Sequence, residues 1–515
     1  MTKKLHPIML AGTGSDVGKS VLATALCRIF LQDGYTPAPF KAQNMALNSY
    51  ATPDGFEIGR AQAVQAEAAG VPCHTDMNPL LLKPQSDHTS QVVLHGRPIG
   101  NRDAYDLWRN PTSPTTSASP TPPLDFRHEV CAAFDRLSSR YNPIVMEGAG
   151  SISELNLRHR DLVNMPMAQH AKAKVVLVAD IDRGGVFASA YGSIALQTEE
   201  DRRIICGIIV NKFRGDLRLF DEGRRILEDI CRVPVLGVVP FFKDISIEGE
   251  DSVAIDQRMR SQQTDAGDAK KVNIAVVKLP HLSNYTDFDA IEHDARVHLY
   301  YTIAAEGLKK ADIIILPGTK STISDLQWLR QGPLAEEILR QHREGKTVVG
   351  ICGGYQMMGC EVLDPDHVEG TAERMPGLGL LPVSTTMSGQ KITRQTRFRL
   401  AGSDGEELTM SGYEIHMGTT HPVNGAPPKP FAVLNDGRQD GYVASARCFG
   451  TYLHGALDNA AVAQLLLAPF ADRVGQRPQH FDYQAFKQQQ YDRLADHVRR
   501  HIDMDRLYQI LSTDD

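Results

Sequence analysis

The sequence predicts an α/β protein built from two domains, each on a mainly parallel sheet. Three observations carry that prediction. Short Val/Ile-rich runs alternate with helical stretches in both halves of the chain. Two glycine-rich strand-to-helix turns, one at residues 12–20 and one at residues 350–356, are suited to different chemistries. A length of 515 residues exceeds one ordinary hydrophobic core, so two or three domains are expected.

In chain order, the first strand is expected at residues 8–11, followed by Gly12-Thr13-Gly14-Ser15-Asp16-Val17-Gly18-Lys19-Ser20. Val21, Leu22, Ala25, Leu26, Ile29 and Phe30 then form the apolar stripe of a helix laid on a sheet, ending near Asp33-Gly34. Continuous Val/Ile runs at 144–146, 175–179, 204–210 and 235–239 suit strands buried on both faces. The proline- and hydroxyl-rich segment 110–123 cannot continue a helix and reads as an exposed loop. Residues 258–271 are polar and unpatterned. A second α/β unit follows, with strands at 273–279, 312–316 and Thr347–Ile351 and a β-rich stretch to about residue 453. Leu494, Val498 and Ile502 at helical spacing predict a packed terminal helix. The expected organisation is therefore 1–257, a linker at 258–272, 273–462, and a helical tail at 463–515.

A net charge of −7 gives no reason to expect nucleic acid or an anionic membrane as partner. No apolar run is long enough for a membrane span, and Met1-Thr2-Lys3-Lys4-Leu5 is not a signal-type start. Eight scattered cysteines with no CxxC argue against a disulfide scaffold or a zinc site and fit a reducing cytoplasm. The oligomeric state stays open.

The first turn has the chemistry of a phosphate cradle. Gly12, Gly14 and Gly18 let backbone N–H groups converge on oxygens, Lys19 would face the β/γ-phosphates of ATP, and Ser20 would bind Mg²⁺. The spacing is a variant, because a strict phosphate-loop pattern would put its first glycine at Thr13. Glu147 closes the strand 144–146. An acid there is suited to holding Mg²⁺ or its water shell, the alternative being a carboxylate that caps a turn.

The second turn, Gly350-Ile351-Cys352-Gly353-Gly354-Tyr355-Gln356, presents a cysteine near the positive end of a helix, which favours thiolate and attack. His454, in Gly450-Thr451-Tyr452-Leu453-His454-Gly455, is the expected base. The backbone N–H groups of Gly318 and Gly353 are the expected oxyanion donors.

The first loop resembles those of dethiobiotin synthetase and ParA/MinD-type P-loop proteins. By that resemblance Asn211 and Lys212 would contact the purine. The second half resembles class I glutamine amidotransferases, whose nucleophile lies in G-x-C-x-G-x-Q. It departs from their usual triad, because the position two after the histidine is Ala456 rather than glutamate. The cobyrinic and cobyric acid synthase branch shares that departure, which leaves open what orients His454. The blocks Phe40-Lys41-Ala42-Gln43-Asn44-Met45, Glu147-Gly148-Ala149-Gly150-Ser151, Asp180-Ile181-Asp182-Arg183-Gly184-Gly185 and Gly412-Tyr413-Glu414-Ile415-His416-Met417-Gly418 resemble the same branch.

The resemblance implies a dethiobiotin-synthetase-like P-loop domain followed by an amidotransferase domain. Glutamine would be hydrolysed at Cys352. The ammonia would amidate the b, d, e and g carboxylates of the corrinoid (adenosyl)cobyrinic acid a,c-diamide, activated by ATP as acyl phosphates, to give cobyric acid. Lys41, Lys83, Arg97, Arg158, Arg160 and Arg183 would be available to neutralise that polyanion. Three other readings compete: the synthase that makes the a,c-diamide, a MinD-like regulatory ATPase, and a stand-alone hydrolase using Cys352.

Overall fold

The computed structural model describes residues 3–85, 88–103, 125–249, 268–370, 372–402, 409–423, 425–474 and 481–512, with Ile255 and Met259. The segment 110–123 and most of 258–271 lie outside the described residues. The chain forms two compact units. One comprises Met1–Met45, Ile58–Ile247 and Lys487–Asp515, the other Ala46–Glu57 and Glu248–Phe486.

The first unit is built on a six-stranded sheet in the order Val235–Pro240, Ile205–Phe213, Lys174–Asp180, Ile8–Gly12, Ile144–Glu147, Ala38–Phe40. All its neighbours run parallel. Its central strands are apolar along their length because helices cover both faces, and Ile8, Leu10 and Val175 through Ala179 are wholly buried. Helix Lys19–Gln32 buries Leu22, Ala25, Leu26, Ile29 and Phe30. It ends where Gly34, at φ +84°, donates its N–H to the Leu31 carbonyl.

From Lys487 onward the tail belongs to this unit, whereas its residues up to Phe486 group with the second. Helix Tyr483–Arg499 buries Leu494 and Val498, and Arg28 binds Asp492 at 2.7 Å. The apolar stripe runs past the helix, however. Ile502 lies beyond its end and forms an isolated β-bridge with Gly237 before a second helix, Met504–Ser512.

The second unit holds a six-stranded sheet in the order Val297–Thr302, Val272–Val277, Ile313–Leu316, Thr347–Ile351, Cys448–Thr451, Tyr442–Ser445. The first five are parallel and the last is antiparallel. A long hairpin, Val383–Leu400 with Met410–Pro422, forms most of a second sheet. In the parallel sheet Ile351 is in register with Thr451. That pairing brings the ends of two strands distant in sequence side by side.

Candidate functional site

The thiol site is assembled at those neighbouring strand ends. Cys352 has φ 53° and ψ −111°, a conformation a β-substituted residue adopts only when its surroundings enforce it. The surroundings here are backbone. Cys352 N–H donates to the Thr451 carbonyl at 2.8 Å. A Cβ on Gly350 would come within 2.7 Å of the Tyr355 nitrogen, and one on Gly354 would overlap the Leu316 carbonyl oxygen. Only glycine lets the turn close this tightly.

His454 follows the adjacent strand and is buried. The Cys352 thiol lies within electrostatic reach of its ring and donates to the Ile415 carbonyl at 3.5 Å, while His454 Nε2 meets the Asn284 side-chain amide at 3.3 Å. On the other side, His454 Nδ1 lies 2.7 Å from Asp287 Oδ2, while Asp287 Oδ1 accepts the Gly455 N–H at 2.9 Å. Burial disfavours the imidazolium. The charges of Asp287 and the Cys352 thiolate, with their hydrogen bonds, outweigh it and push the His454 pKa up to about 10. Tyr413 stacks on the His454 ring at 5.2 Å, and the two residues exchange backbone hydrogen bonds.

Asp287 is the functional residue missing from the sequence reading. It lies in the short helix Tyr285–Phe288, 167 residues before His454. Nothing in the mixed stretch 279–291 marks it out in the sequence; only the structure shows Asn284, Thr286 and Asp287 to be buried together.

Gly318 packs against the same imidazole, since a Cβ there would lie 3.2 Å from His454 Cε1. Gly353 abuts Thr319, the residue after Gly318. The two glycines expected to serve an oxyanion are thus close together beside the thiol, Gly318 after the strand Ile313–Leu316 and Gly353 at the start of the helix Gly353–Met358. Gln356 is clamped behind them, accepting from the Thr322 hydroxyl at 2.9 Å and donating to the Met417 carbonyl at 2.8 Å. Elsewhere in the chain, burial raises the pKa of Cys27, Cys131, Cys206, Cys231 and Cys448.

The phosphate loop of the first unit is a cradle held by its own cations. Lys19 Nζ donates to the carbonyls of Gly14 at 3.0 Å and Gly150 at 2.9 Å. A Cβ on Gly12 would lie 2.7 Å from that ammonium and 2.9 Å from the Gly150 oxygen, so no larger residue fits. Ser20 Oγ donates to Glu147 Oε1 at 2.8 Å, and Lys41 and Gln65 bind the same carboxylate at 2.9 and 2.7 Å. Two hard oxygen donors, a hydroxyl and a carboxylate, therefore converge at the loop, a donor pair suited to Mg²⁺.

Asn211 and Lys212 reach the loop from below. Asn211 donates to the Val17 carbonyl at 2.8 Å. Lys212, at φ +62°, binds the Asp16 carbonyl and, at 2.9 Å, Asp180. Here both side chains brace the loop. Among the described residues no cluster of three or more His, Cys, Asp or Glu could hold a metal, and no helix is long and apolar enough to cross a membrane.

A strained cysteine beside a buried histidine at the ends of parallel strands, joined in one chain to a phosphate-loop domain, defines a nucleotide-dependent amidotransferase. Residues 273–462 match the CobB/CobQ-like glutamine amidotransferase domain, and residues 8–253 match the CobQ/CobB/MinD/ParA nucleotide binding domain. The chain is 64% identical over 515 residues to a cobyric acid synthase of Bacteroides fragilis, covering 100% of both chains. It is 61% identical over 515 residues, again 100% of both, to one of Phocaeicola vulgatus. A cobyric acid synthase of Parabacteroides distasonis is 53% identical over 508 residues, 99% of each chain. The chain belongs to the cobyric acid synthase family, glutamine-hydrolysing, ATP-using ligases that form amides in cobalamin biosynthesis.

Proposed function

We propose that this enzyme amidates the b, d, e and g carboxylates of (adenosyl)cobyrinic acid a,c-diamide in turn, giving cobyric acid. The observation that carries the reading is the buried His454–Asp287 pair beside the strained Cys352 turn, in the same polypeptide as the Lys19–Ser20–Glu147 cradle.

At the thiol site, Cys352 Sγ attacks the side-chain amide carbon of glutamine, with its proton held on His454. The N–H groups of Gly318 and Gly353 face the developing oxyanion. His454 returns the proton to the departing nitrogen, and ammonia leaves. Water, deprotonated by the same imidazole, then cleaves the thioester and releases glutamate. Asp287 fixes the ring so that Nε2 faces sulfur, the task a glutamate performs in the usual triad.

At the cradle, Lys19 bears on the β/γ-phosphates of ATP, and a corrinoid carboxylate takes the γ-phosphoryl group to become an acyl phosphate. Ammonia displaces that phosphate and forms the amide. Mg²⁺, held by Ser20 and Glu147, would supply charge at the transferring oxygens. Asn211 and Lys212 brace the loop and border the purine. A reducing cytoplasm, which keeps Cys352 a thiol, is the proposed location.

The test is the glutaminase rate of the full chain with and without MgATP and cobyrinic acid a,c-diamide. Stimulation that needs both supports coupled sites. A rate indifferent to both contradicts them.

A further inference from the structure

We propose that a cavity beside the phosphate loop docks one edge of the corrinoid, with Arg160 receiving a peripheral carboxylate. This rests on the amidation reading above and extends it to the substrate's own site.

The cavity, of about 290 Å³, lies wholly within the phosphate-loop unit. One wall is the turn after strand Ile144–Glu147, including Gly150, whose carbonyl holds the Lys19 ammonium at 2.9 Å. A group docked there lies next to the cation expected to face the phosphates. The other wall is the short segment Leu155–Arg160, whose Leu157, 50% exposed, lends the cavity an apolar side chain. Ile152, Leu162 and Val163 add buried apolar surface.

The polar lining sorts into committed and uncommitted groups. Asn164 is bound on both sides to the backbone of Ala149, and Gln197 donates to the carbonyls of Ile152 and Ser193. Asp161 accepts the N–H groups of Val163 and Asn164, so its charge is absorbed in the turn. Arg158 is paired with Asp201 and with the Thr198 hydroxyl. Arg160 differs. Its Nε donates to His159 at 3.0 Å, and among the described residues it pairs with no carboxylate. Of the other cations weighed for the polyanion, Lys41 is bound to Glu147 and Arg183 to Asp16 and Asp180.

The exposed Glu154 also lines the cavity and sets one carboxylate against an anionic ligand, so Arg160 is its counterweight. A partly apolar cavity with an uncommitted guanidinium, beside a phosphate cradle, fits an amphipathic polycarboxylate docked on the Arg160 side. The guanidinium fork matches a carboxylate in a way a point charge does not. The volume suits one edge of a corrin ring with its side chain rather than the whole macrocycle. Repeated docking of successive edges is consistent with amidation at several positions.

The test uses the full chain with free ammonia and saturating MgATP, varying cobyrinic acid a,c-diamide. Arg160→Ala should raise the corrinoid KM about 10- to 100-fold, the usual range for losing a hydrogen bond to a charged group, with the ATP KM unchanged. Arg160→Lys should recover part of the loss. Leu157→Glu, which adds a repulsive charge on an exposed wall, should raise the same KM without lowering the thermal midpoint. An unchanged corrinoid KM in both Arg160→Ala and Leu157→Glu, or a rise confined to the ATP KM, overturns the site. Failure of the wild type to amidate the corrinoid at all instead overturns the amidation reading, and this proposal with it.

Discussion

His454 Nδ1 and Asp287 Oδ2 stand 2.7 Å apart, both buried, and Asp287 reaches the histidine from a helix on the far side of the chain rather than from the residues after it. The carboxylate absent at Ala456 is thus supplied from elsewhere. The His454 pKa is raised from 6.5 to about 10, so the imidazolium persists through neutral pH and is lost as pH rises towards about 10. Asp287→Asn removes the main raising charge. Its glutaminase profile should lose its upper limb at a lower pH than wild type, with kcat/KM down about 10²-fold or more. A wild-type profile in the folded variant would contradict the triad.

Gly354→Ala tests the turn itself. The added methyl would overlap the Leu316 carbonyl, a backbone atom of a central strand that cannot move aside. A cost of about 3 kcal/mol or more is expected, read as a lower unfolding midpoint together with lost glutaminase activity. Full activity at wild-type stability would mean the elbow is looser than described.

Cys352→Ala, or Cys352→Ser, should abolish glutamine-dependent amidation and leave synthesis from free ammonia. His454→Ala should do the same less completely, lowering glutamine hydrolysis about 10²–10⁴-fold. Loss of the ammonia-dependent reaction in either folded variant would argue that the two activities share one site.

How far the sequence could be read depended on how local each signal was. The buried strands from Ile8 to Val239 were legible because continuous Val/Ile runs have few other uses in a chain of this class. Cys352, His454 and the phosphate loop were legible because each sits in a short glycine-bearing motif. Asp287 was not, because its meaning comes from a contact across 167 residues that spacing does not encode. The three-residue strands Ala38–Phe40 and Gln43–Met45 are too short to show a period. Ile502 kept the helical stripe although the helix had ended, since a β-bridge to Gly237 buries it equally well.

Lys19→Ala should abolish amidation from glutamine and from ammonia alike, because both require the activated carboxylate. Basal glutaminase activity should survive without its stimulation by ATP. Ser20→Ala and Glu147→Gln should weaken the Mg²⁺ dependence of the same step, since their 2.8 Å contact is the oxygen pair assigned to the ion. Product formation at the wild-type rate by folded Lys19→Ala would remove the loop from the mechanism.

The central claim, ATP-driven transfer of glutamine nitrogen to a corrinoid, is tested most directly by mass spectrometry. The full chain is incubated with MgATP, cobyrinic acid a,c-diamide and glutamine carrying heavy nitrogen in its amide. The account predicts successive products, each with one further hydroxyl replaced by a heavy-nitrogen amino group, ending when the b, d, e and g carboxylates are all amides. An unchanged corrinoid mass, or amidation that proceeds without ATP, would contradict it.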